Sequence, residues 1–382
     1  MTQTVKPLSA PFPWFGGKST VADKVWAGLG DVSHYVEPFF GSGAVLLRRP
    51  HAPQLETVND LDCLVSNFWR AVRADPDAVA DYADWPCNEA DLHARHIWLI
   101  GERESLTNRL MGDADWFDAK AAGWWVWGAC NWIGSGWCSG NGPWVAVDGM
   151  LTDSRQLPHL GDAGMGIKRN LPHLSDAGMG INRKLPHLGN AGRGIKRQLP
   201  HLGDAGRGIN RQRPHLGPGI GINRNLPHLS AGRGEFIRSW MLDLAERLRP
   251  TRVACGDWSR VTGPSVLRAG GGIVGVFLDP PYALNERAEV YAMESPVASS
   301  EVSGWCAANG NDPALRIVLA GYDGEHNELE GLGWTVEKWK AHGGYGLKGD
   351  GRGRDNASRE RLWFSPHCVS SARDLFSMDA TL

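Results

Sequence analysis

The chain has seven cysteines in 382 residues and no Cys-x-x-Cys pair among them; Cys63, Cys87, Cys130, Cys138, Cys255, Cys306 and Cys368 follow no regular spacing. That pattern speaks against both a disulfide framework and a zinc site. There is no apolar run of membrane-spanning length and no stretch that reads as a signal peptide, so a cytoplasmic protein is expected. Neither sign of charge dominates: 40 Lys and Arg stand against 42 Asp and Glu, and a net charge of −2 argues against a wholly basic nucleic-acid binder. What is present is 42% hydrophobic residues, and length enough for one large domain and a smaller second one.

The charge is unevenly placed. Arg155 to Arg238 holds 14 Lys and Arg but four acids, a local +10. The same region repeats itself: Leu-Pro-His-Leu recurs at 157, 171, 185, 199 and 226, with Arg-Pro-His-Leu at 213, a 14-residue period with one shortened copy. Each unit supplies two leucines and an isoleucine, as Leu185, Leu188 and Ile195 do, too little for a core of its own. A proline and three glycines per unit rule out a long helix. The six evenly spaced histidines, His159, His173, His187, His201, His215 and His228, have no second ligand type recurring beside them, so no metal is expected. Arg193, Arg197, Arg207, Arg211, Arg224 and Arg233 suit phosphates better. The region reads either as a nucleic-acid-contacting arm or as a tolerated loop expansion. Just upstream, nine of the 18 tryptophans (Trp85, Trp98, Trp116, Trp124, Trp125, Trp127, Trp132, Trp137, Trp144) fall in a helically periodic stretch, which reads as a core or as a stacking surface for bases.

Chemistry-bearing residues gather at the ends of expected strands. Ile273 to Leu278 is an apolar, β-branched run with glycines before it, and it stops at Asp279-Pro280-Pro281-Tyr282. Two prolines cannot extend a ladder, so the Asp279 carboxylate and the Pro280 carbonyl face outward at the strand's carboxyl end, where open α/β sheets bind ligands. Two acceptors followed by an aromatic ring suit a flipped nucleobase with an exocyclic amine. Tyr35 to Leu47 reads as a short strand, a turn at Gly41 and Gly43, and an apolar helix start; it is not G-x-G-x-x-G, so a dinucleotide fingerprint fits poorly. Leu55 to Val58 is the next strand, with Asp60 at its end to accept from ribose hydroxyls or to cap the helix Leu61 to Arg73, within which Asp62 would lie. Pro13-Trp14-Phe15-Gly16-Gly17-Lys18 precedes an amphipathic helix, Ser19 to Gly28, with Ser19 a candidate N-cap. A helix from Phe236 to Leu248 leads to a strand, Arg252 to Gly256, that ends at Asp257. Further strands are expected at Arg316 to Ala320, Trp334 to Lys340 and Arg361 to Ser365. The Gly-rich loop between the last two, with Lys348, Arg352 and Arg354, is either a phosphate-contacting segment or a hairpin tip.

These motifs, in this order, resemble the Dam-like class of adenine-N6-specific DNA methyltransferases. Asp279-Pro280-Pro281-Tyr282 resembles the catalytic motif of amino-group methyltransferases. The Tyr35 to Leu47 run resembles the S-adenosyl-L-methionine-binding motif, which implies that Glu37, Pro38, Phe40, Gly41 and Gly43 line the donor. The N-terminal motif matches at Trp14 and Lys18, and the family places a carboxylate at Asp60 for the donor's ribose and one at Asp257 beside its adenine. The resemblance implies a site-specific enzyme that methylates the N6 amine of a flipped adenine. Asp279 and the Pro280 carbonyl would accept from the amine while Tyr282 stacks on the base. Cytosine C5 chemistry is rejected, because the one Pro-Cys pair, Pro86-Cys87, lies away from any strand end. Cytosine-N4 methylation, usually Ser-Pro-Pro-Tyr, methylation of RNA or of a protein amine, usually with Asn at position 279, and a silent DNA-binding protein are the alternatives.

The fold expected is α/β, a doubly wound, mostly parallel Rossmann-like sheet whose two parts come together around an insertion. Residues 1–74 and 236–370 form the methyltransferase domain, 75–154 a Trp-rich helical target-recognition region and 155–235 the basic repeat arm, with a tail at 371–382. The array is foreign to the family pattern, which puts site specificity in question. The expected partner is double-stranded DNA, with a cognate restriction endonuclease as a second candidate. No metal and no membrane are expected, and a monomer is, in the cytoplasm of a bacterium or of a virus-infected host cell.

Overall fold

A computed structural model of the chain describes residues 7–14, 17–132, 136–139, 144–147, 150–153, 233–282, 298–339 and 359–369. Its elements lie in the unit formed by residues 1–152 and 219–382, with the last strand before the repeats ending one residue beyond it. The repeats with Arg193, Arg197, Arg207, Arg211 and Arg224, and the loop with Lys348, Arg352 and Arg354, lie outside the described residues.

Seven strands form one sheet: β1 His34–Glu37, β2 Leu55–Asp60, β5 Thr251–Cys255, β6 Val274–Leu278, β7 Leu315–Tyr322, β8 Thr335–Lys338 and β9 Glu360–Phe364. The order is β5-β2-β1-β6-β7-β9-β8, parallel from β5 through β7, with β9 antiparallel to both β7 and β8. From β1 the chain runs outward in one direction to β2 and β5 and in the other to β6 and β7, so the topological switch lies between β1 and β6. Two-residue alternation sends side chains into two layers. Tyr35, Phe277, Val318, Ala320, Leu362 and Phe364 enter one core; Val36, Val274, Val276, Leu278, Ile317, Leu319 and Trp363 enter the other. A sheet buried on both faces is the reason β6 is apolar throughout.

The first core is covered by α1 (Ala22–Leu29), α2 (Cys63–Ala74), α3 (Pro76–Ala83), α4 (Glu89–Gly101), α5 (Arg103–Gly112), α6 (Ala119–Asn131) and α7 (Arg233–Arg247). The second takes Leu267 from the one-turn α8 (Pro264–Leu267) and Val302 and Cys306 from α9 (Ala298–Asn309). Side chains begin several helices: Asp62, Asp75, Asn88 and Asp118 accept the N–H of Leu64, Ala78, Asp91 and Ala121. Asp62 therefore caps α2 rather than lying inside it. Ser19, by contrast, is not a cap. It sits within a 3-10 turn, Lys18–Thr20, and α1 starts at Ala22 with no side-chain cap.

The tryptophans of the central segment serve mainly as core. Trp125 and Trp127 are buried, and Trp98, Trp116, Trp124 and Trp137 pack against the first cluster. The buried Arg95 guanidinium lies 4.1 Å from the Trp127 ring, 5.0 Å from Trp124 and 5.4 Å from Trp85. The end of that segment is not helical, since Trp144–Val147 (β3) and Met150–Asp153 (β4) form a two-stranded sheet.

At the amino end of β2, Glu56 is fully buried between two guanidiniums. Its carboxylate accepts from Arg49 at 3.2 Å, from Arg247 at 2.7 and 2.9 Å, and from the Thr251 hydroxyl at 2.8 Å. Removing one member strands the others as buried charges. Glu56→Ala should cost about 3–5 kcal/mol in a urea unfolding series, whereas breaking the exposed Lys24–Glu337 pair should cost at most about 1 kcal/mol.

Candidate active site

The carboxyl ends of β1, β2, β5 and β6 carry Glu37, Asp60, Asp257 and Asp279 to one edge of the sheet. The turn after β1 is made by contacts with the end of β2. Phe40 N–H donates to the Asn59 carbonyl at 3.0 Å, and Gly41 N–H donates to Asp60 Oδ2 at 2.8 Å. The Asn59 amide donates to the Pro38 carbonyl at 3.1 Å and to the Gly256 carbonyl at 2.9 Å, drawing the ends of β1, β2 and β5 together. Gly41 and Gly43 have φ of +47° and +66°, and a side chain on Gly41 would run into the Trp14 indole. Trp14 and the glycine turn, expected from separate motifs, are thus in contact.

Asp60 is a participant in this turn. Its second oxygen accepts the Asp62 N–H at 2.9 Å, and the N-cap of α2 is Asp62, which leaves capping out of its role. Burial, with Asp62 nearby, pushes the Asp60 carboxyl up to about 7 against the pull of the two N–H donors. Glu37 is buried and accepts from the Tyr35 hydroxyl at 2.9 Å. Burial pushes its carboxyl well above the usual range; the Tyr35 hydrogen bond opposes this and the Asp279 charge adds to it. Asp257 is exposed and accepts from Ser259 N–H at 2.9 Å, capping a short 3-10 turn, Trp258–Val261.

Across the switch point, Lys18 and the end of β6 form a charged cluster. Lys18, 4% exposed, places Nζ 2.9 Å from Asp279 Oδ1 and 3.8 Å from Glu360 Oε2. The Tyr282 hydroxyl donates to Asp279 Oδ1 at 3.1 Å and lies 3.5 Å from Glu360 Oε2. The ammonium sits 5.3 Å from the Tyr282 ring centre and 5.7 Å from that of Trp339. Pro280 is buried beneath, and Tyr322 meets the Tyr282 ring edge to face at 4.5 Å. Lys18, Asp279 and Tyr282, expected from motifs at opposite ends of the chain, are brought together.

Glu360 and Tyr322 are the members that the sequence reading missed. Glu360 opens β9, and β9 runs against its neighbours, so the first residue of this strand reaches the edge where the parallel strands end. The signal for it in the sequence is an acid directly before an apolar run, Glu360-Arg361-Leu362-Trp363-Phe364, which marks the start of a strand rather than the carboxyl end at which parallel strands present their acids.

Residues 14–91 match the model of a family described as D12 class N6 adenine-specific DNA methyltransferase. That span holds Trp14, Lys18, Glu37, the glycine turn and Asp60, and ends within α4. Among the curated proteins compared, none matches the chain. Among the described residues, no helix is long and apolar enough to cross a membrane.

Because Gly41 needs a left-handed backbone and has no room for Cβ, Gly41→Ala should destabilise the fold by at least about 1–2 kcal/mol, measured by chemical denaturation. Substitution at Gly101, where an added Cβ meets nothing within 4 Å, is the helical control; it should be neutral or stabilising.

Proposed function

Taking as premise that the chain carries a D12 class N6 adenine-specific DNA methyltransferase domain, we propose that the Asp279 cluster is where the adenine amine is methylated and that the glycine turn holds the donor. A domain of that class implies S-adenosyl-L-methionine-dependent methylation of adenine N6 in DNA, and the chain is an enzyme. The observation that carries the site assignment is the convergence of Asp279 and Tyr282 with Lys18 at the switch point of the sheet.

The donor supplies an activated methyl group on a sulfonium. The residues fit such a molecule: Gly41 and Gly43 leave the turn bare of side chains, and Asp60 stands at its rim with two oxygens that could also accept from ribose hydroxyls. Trp14 backs the turn, and Glu37 lies buried between turn and cluster. Asp279 would accept an N6 hydrogen, the Pro280 carbonyl the other, and Tyr282 would hold the base plane. Lys18 offsets the Asp279 charge and keeps it from being buried alone. Residues 75–154 are proposed to contribute target recognition, and the basic repeats to add phosphate contacts along double-stranded DNA.

Expression in a host without adenine methylation, followed by sequencing that detects modified bases, should find N6-methyladenine at a recurring site; unmodified DNA from a folded, donor-binding protein would refute the reading. Asp279→Ala should lower turnover at least about 100-fold, because it removes an acceptor used at the reacting nitrogen, while donor affinity changes less than about 3-fold.

The Asp60 carboxyl, raised to about 7, gives donor binding a pH dependence. Only the carboxylate accepts from both hydroxyls, so affinity should be full above that value and fall as pH drops through it. Titration calorimetry should show donor binding about 10-fold weaker at pH 6 than at pH 8, and Asp60→Asn should remove the slope.

A further inference from the structure

We propose that Arg103 is a positioning residue for donor binding: by pairing with Asp62 it keeps the neighbouring Asp60 carboxylate available to the donor's ribose. The proposal rests on the reading of Asp60 as the acceptor of those hydroxyls. Its starting point is a crowding of like charge. Asp60 and Asp62 stand two residues apart, and Asp60 Oδ1 accepts the Asp62 N–H at 2.9 Å, so the turn that orients one carboxylate also brings the other close. Two carboxylates this near oppose each other's ionisation unless a cation is set against one of them.

Arg103, the first residue of α5, is that cation. Its Nη1 lies 3.1 Å from Asp62 Oδ1 and its Nη2 3.2 Å from Asp62 Oδ2, a bidentate pair whose side chains are 18% and 13% exposed. Asp62 Oδ1 also accepts the Leu64 N–H at 2.9 Å, so Asp62 is held by the helix it caps and by the cation together. The guanidinium is fixed from its far side as well. Nη2 donates to the Cys138 carbonyl at 2.5 Å, and the Cys138 N–H donates to His96 Nδ1 at 3.2 Å.

The other titratable groups packed here do not compete for that charge near pH 7. Burial pushes up the thiols of Cys63 on α2, Cys138 and Cys255 on β5, Cys63 to about 12, and pushes His96 on α4 down to about 4. Arg70 on α2 donates to the carbonyls of Leu110, Asp113 and Trp116, and Arg260 after β5 to that of Cys255. Burial also raises the Glu37 carboxyl at the end of β1, a contribution common to every variant compared below. Burial and Asp62 raise the Asp60 carboxyl, against the N–H donors of Gly41 and Asp62. Arg103 touches neither the donor nor Asp60 in this scheme. It acts by offsetting the charge of Asp62.

The test uses the full chain and follows binding of S-adenosyl-L-homocysteine, the demethylated donor, by calorimetry from about pH 5.5 to 9. Each variant is compared with the unmutated chain at each pH, which cancels the ligand's own amine. Arg103→Met should move the midpoint of the pH dependence up by about 0.5 to 1 unit, with affinity above it returning to within about 2-fold of the unmutated chain. Asp62→Asn, which keeps a side-chain cap on α2, should move the midpoint down. The double variant should follow Asp62→Asn, because no charge is left for Arg103 to offset. Midpoints that stay in place in the single variants, or shifts that simply add in the double variant, would overturn the proposal. So would Arg103→Met binding that stays weak at pH 9 or fails at every pH, since either assigns Arg103 to the scaffold. Asp60→Asn separates this from the underlying reading. If it leaves donor affinity and its slope unchanged, the ribose assignment fails and the proposal with it; if it removes the slope while the Arg103 and Asp62 variants are silent, the proposal alone fails.

Discussion

The sheet depends on a carboxylate that never meets solvent. Glu56 and Arg247 lie 191 residues apart in the chain, and their pairing, with Arg49 on the other side, joins the strands made before the insertion to those made after it. The parallel neighbours β2 and β5, with β1 and β6, have no short connection to set their register; the register comes from what they bury. An ion cluster of this kind contributes less net stability than its contacts suggest, because three groups have been taken out of water. It contributes definition, since a shifted strand would leave charges unpaired in the interior.

The opposite edge has a different character. Where the Glu56 cluster is closed by matched donors and acceptors, the other gathers Asp279 and Glu360 around Lys18, with Glu37 and Asp60 close by and both raised by burial. Carboxyls held in this way are poised to gain partners. A ligand that donates hydrogen bonds is the means of relieving them, and an exocyclic amine and a pair of ribose hydroxyls are such donors. The two ends of one sheet thus differ: one holds strands together, and the other gathers carboxyls at the edge where open α/β sheets generally bind ligands.

Much of this was legible in the sequence because the signals were local. The apolar run ending at Asp279, the glycines after β1 and the acid after β2 each depend on a few neighbouring residues, and all appear at the expected edge. What escaped depended on partners far away. That Asp60 bonds Gly41 follows from the parallel pairing of β1 with β2, and that Glu360 meets Lys18 follows from the direction of β9. Ser19 shows the reverse: a good N-cap by type, set aside because Lys18 must turn inward through a 3-10 turn before the helix can begin.

The antiparallel strand has one more consequence, in time rather than space. Lys18 is synthesised long before Glu360, yet both belong to one charged cluster beside Asp279. While the ribosome is still making the chain, the glycine turn can form, but the cluster lacks its second carboxylate until β9 has slotted between β7 and β8. A nascent or prematurely terminated chain would therefore carry the glycine turn and Asp60 without the completed charged cluster.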